Sequence, residues 1–92
     1  MLISAHSCIK AQMTKIPPQA NSTIWAFFNT VLMGISPATQ LDPVQHGLLV
    51  SFLDDARSRC HEKMLADLQK RNAWALQIAT WANGAHVANK TS

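Results

Sequence analysis

The sequence predicts an all-α fold, a small bundle of three or four helices built on a long C-terminal helix or helix pair, and dimeric. Three observations carry that reading. Asp42, Pro43 and Gln45 form a strong helix start, with an N-cap, a proline at the first helical position and a glutamine three residues after the cap. Beyond it, apolar residues recur three and four apart (Leu49, Leu53, Ala56, Cys60, Met64, Leu68), which places one stripe along one helix face. No proline follows Pro43, so nothing forces a break before Gly84.

The first helix is expected from about Ile3 to Gln12, where Leu2, Ala5, Ile9 and Met13 keep helical spacing. Pro17 and Pro18 end it, and 17–21 reads as a turn or short linker. Ser22 can cap a second helix from Thr23 to about Met33, with Gly34 at its left-handed C-terminal position. Ile24, Trp25, Phe27, Phe28, Val31, Leu32 and Met33 nearly encircle that segment. Such a helix is buried on several sides, as the centre of the bundle or as an oligomer contact. A buried strand is the competing reading, since these residues also favour sheet.

A loop over 35–41 leads to the Asp42 cap. Gly47, in the opening turn of the long helix, suggests close approach of another helix, with Trp25 or Phe28 as the visitor. On the wet side, Asp55–Arg59, Lys63–Asp67 and Asp67–Arg71 are opposite charges four apart, which favours continuous helix from Ala56 to Leu68. The pattern leaves open whether one helix of about forty residues or two meeting near Asn72 follow the cap. From Asn72 to Asn89 no residue is charged, and alanines alternate with Trp74, Leu76, Ile78 and Trp81. Small residues allow close backbone approach, so this segment is expected to be covered on more than one side. Asn83-Gly84 reads as a helix end, with a frayed tail from about 86.

Ninety-two residues make a single domain spanning 1–92. A hydrophobic fraction of 48% against 14% charged excludes a highly charged disordered chain. Three Trp, three Phe and four Met must be buried, more than a short helical monomer readily hides, and this favours a homodimer or a covering partner. Two cysteines are too few for a secreted disulfide scaffold, so a reducing, cytoplasmic setting is expected. The start lacks a basic region followed by an apolar one, and the longest apolar run, 24–35, is too short to span a bilayer.

The residues that could carry chemistry do not converge in sequence. His6 with Cys8, and Cys60 with His61, are pairs where a zinc site needs about four ligands. His61-Glu62-Lys63-Met64-Leu65 begins like a metalloprotease helix but has Leu65 where the second histidine belongs. Asp54 and Asp55 are adjacent, so on a helix they diverge. The three glycines are isolated and build no phosphate loop. No enzyme, metal or cofactor is expected.

The function read from these residues is that of a protein–protein interaction module, a small regulator or inhibitor docking on a partner through an apolar helical surface. Its candidate interface residues are Trp25, Phe28, Leu32, Trp74, Ile78 and Trp81, tryptophan being enriched among interface hot spots. The alternative is a dimeric nucleic-acid-binding regulator using Arg57, Arg59, Lys63, Lys70 and Arg71. Against it, Asp54, Asp55, Glu62 and Asp67 are interspersed among those bases and repel phosphate. The net charge of +3 permits an anionic partner without indicating one.

Overall fold

Three helix starts in this chain, after Ser4, Asp42 and Asp67, are set by short acceptor side chains. The computed structural model describes residues 1–16, 22–59 and 62–91. Ser4 is held extended (φ −63°, ψ 125°), and its hydroxyl accepts the Ser7 N–H at 3.3 Å, capping α1 (Ala5–Met13). A cap residue has non-helical backbone, so Ile3–Ser4 is free to pair as a strand, β1. It runs antiparallel to β2 (Gln40–Leu41), with Ile3 opposite Leu41 and Ser4 opposite Gln40. This corrects the expectation that the first helix begins at Ile3 and that no strand is present.

Between them, α2 (Ser22–Gly34) is the central helix, and its most extensive contact is with α5 (Leu68–Thr91). Ile24, Phe27, Phe28 and Val31 are buried and Trp25 and Leu32 half-buried, so most of its apolar surface is spent inside the chain, but Met33, expected to be covered with them, is 78% exposed. Ser22, expected as the cap before the helix, is the first residue of α2 itself, and the 17–21 linker lies outside the described residues. Gly34 is not a left-handed terminator, since no glycine among the described residues has positive φ. It is instead where α2 meets α5: a Cβ at Gly34 would sit 2.8 Å from the Cβ of Ala79.

The Asp42 start is as expected. Its carboxylate accepts the Gln45 N–H at 2.8 Å, the Gln45 side chain accepts the Asp42 N–H at 3.3 Å, and Pro43 opens α3 (Pro43–Ser58). Gly47, however, faces open space with nothing within 4 Å, so neither Trp25 nor Phe28 approaches it.

Continuous helix from Ala56 to Leu68 is corrected. α3 ends at Ser58, the one-turn α4 (Lys63–Ala66) follows, and α5 starts at Leu68. The separation of α4 from α5 has its physical reason in Asp67. Rather than pairing with Lys63 or Arg71, its carboxylate accepts the Lys70 N–H at 3.1 Å, and its carbonyl accepts the Arg71 N–H at 2.9 Å. Asp67 thus caps a new helix and is extended itself (φ −82°, ψ 114°). Arg71 reaches back to the Leu65 carbonyl at 3.0 Å, satisfying the end of α4. The restart is therefore near Asp67, not Asn72, which lies inside α5.

Past Gly84 the chain stays helical to Thr91, in place of the expected helix end and frayed tail. The described residues hold five helices, more than the three or four expected, in an all-α bundle built on the long C-terminal helix. The radius of gyration of 12.8 Å is close to the roughly 12 Å of a compact single chain this long. Among the described residues no helix is long and apolar enough to cross a membrane.

Two measurements check this account. Asp42→Ala should lower stability by about 0.5–2 kcal/mol, read as a shifted denaturant midpoint. Gly34→Ala should cost about 1–3 kcal/mol by forcing α2 from α5, while Gly47→Ala, in open space on α3, should stabilise by up to about 1 kcal/mol. Reversal of that order would show that α2 and α5 do not meet at Gly34.

Candidate functional site

One face of the molecule is made by two stripes of helical spacing. On α3, Val44, Leu48, Phe52, Asp55 and Arg59 follow three and four apart, to one side of the buried Leu49, Leu53 and Ala56. On α5, Lys70, Trp74, Ile78, Trp81 and Ala85 do the same. The stripes touch where the Phe52 and Trp81 rings meet edge to face, 5.1 Å between centroids and 87° between planes. Trp74 is anchored beneath by Phe27, 5.0 Å away. Such ring pairs are worth about 0.5–1.5 kcal/mol beyond their burial, enough to hold both indoles in place.

Between the stripes lies a cleft of about 200 Å³ lined by Phe52, Trp74, Gln77, Ile78 and Trp81. It shares Trp74 and Gln77 with a wider depression of about 450 Å³, whose other walls include Asp55, Arg59, Met64 and Lys70. The groove therefore runs from aromatic to charged along α5. Trp74 and Trp81 are half-buried, and neither indole N–H donates to a protein acceptor among the described residues. Both remain available to a docked group or to water.

The six apolar candidates thus separate. Trp74, Ile78 and Trp81 come together at the cleft, Ile78 as its floor at 5% exposure. Phe28 is buried in the core, at 1% exposure. Trp25 is held internally, its Nε1–H donating to the Ile16 carbonyl at 2.6 Å. Leu32 packs half-buried against the core. Phe52 and Gln77 are the cleft residues that sequence reasoning missed; for Phe52, its place four residues after Leu48 was the available signal.

The five basic candidates are not gathered into a patch. Arg57 pairs with Asp54 at 2.9 Å and Arg59 with Asp55 at 3.2 Å. Arg71 serves the Leu65 carbonyl. Lys63 and Lys70 are exposed and lie on separate helices.

Other polar groups do structural work. His6 Nε2–H donates to the Ile35 carbonyl at 2.7 Å. Asn83 was read as part of a helix end, yet it fastens α5 to the end of α2. Its Nδ2 donates to the Gly34 carbonyl at 3.0 Å, and its Oδ1 accepts the Ser36 N–H and the Thr39 hydroxyl, each at 3.2 Å. One turn on, His86 Nδ1 accepts the Gln40 N–H at 3.0 Å, and Asn89 Nδ2 donates to the Gln40 carbonyl at 3.1 Å. The signal for this polar seam was Asn83, His86 and Asn89 at intervals of three in an otherwise apolar helix.

Cys8 is a buried free thiol, and Cys60 and His61 lie outside the described residues. Among the described residues no group of three or more His, Cys, Asp or Glu is placed to hold a metal ion. Comparisons with protein families, with curated proteins and with solved structures give no match for this chain.

Burial, and secondarily the Asp54 carboxylate, push the Cys8 thiol up from 9.0 to about 11. The folded state therefore holds the proton more tightly than the unfolded chain does. That stabilising contribution is complete below about pH 9 and is lost as pH climbs toward 11. In a Cys60→Ser background, alkylation at neutral pH should be slower than for the unfolded chain, with about a hundredfold less thiolate. Equal rates would show that the thiol is not sequestered.

Proposed function

We infer that this protein is a protein–protein interaction module, a small non-enzymatic regulator that docks through the groove between α3 and α5. The observation that supports the reading is the pair Trp74 and Trp81, held by Phe27 and Phe52 and half-exposed at a cleft with free indole N–H groups. An aromatic pair fixed before binding loses little side-chain entropy when a partner covers it, which is how hot-spot anchors gain affinity. The charged end at Asp55, Arg59 and Lys70 stays wet and serves orientation rather than holding power.

Affinity capture from the source cells under nuclease treatment tests the reading. A protein should be retained, and Trp74→Ala or Trp81→Ala should weaken its binding by about 2 kcal/mol or more, with helical circular dichroism preserved. Charge reversal at Arg57, Arg59 and Lys63 should leave retention largely intact. Were nucleic acid alone retained, and lost on that charge reversal but not with Trp74→Ala, the docking reading would fall to its nucleic-acid rival.

A further inference from the structure

We propose that the α3–α5 face is the seam on which a second copy of this chain docks, related by a two-fold axis through the Phe52–Trp81 contact. The proposal rests on the interaction-module reading and names the chain itself as a partner. The face has two unlike halves on either side of that contact. One is concave, the cleft floored by Ile78 and walled by Trp74. The other carries exposed apolar side chains, Val44 and Leu48, one turn apart on α3 and 74% and 44% exposed. A two-fold rotation normal to the face lays each copy's Val44–Leu48 ridge into the other's cleft, so one surface supplies both knob and hole. That is the geometry of an isologous interface.

Charge agrees with this arrangement. At the concave end Arg59 and Lys70 outnumber Asp55, and the Lys70 ammonium forms no ion pair among the described residues. At the Val44–Leu48 end the only formal charge between residues 41 and 53 is Asp42. The rotation carries each positive end over the other copy's Asp42. Between Lys70 and Ala88 the seam is about 27 Å long at 1.5 Å per residue and about 20 Å wide across two helices. Its two sides together then bury on the order of 1,000 Å², at the threshold for a specific interface and in the range of a reversible dimer.

Sedimentation equilibrium of the full chain, from micromolar to near-millimolar concentration, tests the proposal. The expected result is a monomer–dimer equilibrium in which Leu48→Lys, and separately Val44→Lys, raises the dissociation constant about tenfold or more. Both residues are exposed, and unchanged far-UV circular dichroism establishes that the variants fold. Met33→Lys, 78% exposed and beside a separate depression formed with Leu76, should leave the dimer intact. A dimer broken by Met33→Lys but not by Leu48→Lys overturns the proposal. So does a chain that is monomeric throughout the range; if it still captures a Trp74-dependent protein partner, self-pairing fails while the docking reading stands. A Leu48-dependent dimer that captures no other protein upholds self-pairing and confines the docking reading to the chain itself.

Discussion

The structure depends on how closely α2 and α5 approach. At Gly34 and Ala79 themselves the two helices carry only a hydrogen and a methyl group, and a Cβ at Gly34 would already lie 2.8 Å from that methyl. Close backbone approach lets two helices with apolar residues on many sides cover one another, which solves the burial problem posed by the composition. It also explains how α5 can be rich in alanine and still hold the bundle together. Ala75, Ala79 and Ala82 are buried because a larger side chain there would separate the axes.

That solution leaves one flank of α5 uncovered. Beside those alanines α5 carries its large residues, Trp74 packed on Phe27 of α2 and Trp81 on Phe52 of α3. Each indole is only half-buried by its partner. The break after Ser58 and the new start at Asp67 matter to this outcome, because they let the chain reverse and lay α5 across α3. One uninterrupted helix from Pro43 would have carried the tryptophans away from Phe52 altogether. The groove is thus a product of a cap as much as of apolar patterning.

What could be read from sequence follows from the range of the forces involved. The Asp42 capping box was legible because every participant lies within four residues. The apolar stripe of α3 and the cleft members Trp74, Ile78 and Trp81 were legible because helical spacing is local too. Asp67 was misread because one carboxylate suits either an ion pair four residues away or a cap three residues away. Only the chain direction chooses between them. Gly34 departed from its expected role for a similar reason, while Gly47, expected at a close approach, faces open space inside α3. A glycine marks either an ending or a close approach, and the neighbour that decides lies in Ala79, 45 positions beyond Gly34. Asn83, His86 and Asn89 served as a seam rather than an ending because their acceptors and donors sit at Gly34, Ser36, Thr39 and Gln40.

That polar seam has a consequence for the order of folding. The bonds from Asn83 to Gly34 and from Asn89 to Gln40 each close loops of 49 positions, and β1 reaches across the chain to the same segment. Helical bundles fold fast when their contacts are local, and loop closure over such spans adds an entropic barrier before any contact rewards it. The capped start of α3 can form alone within its own first turn. The far half of α5 has no place to settle until the 34–41 segment is fixed, so it joins the bundle late. The polar seam thus closes only when the far half of α5 meets the 34–41 segment.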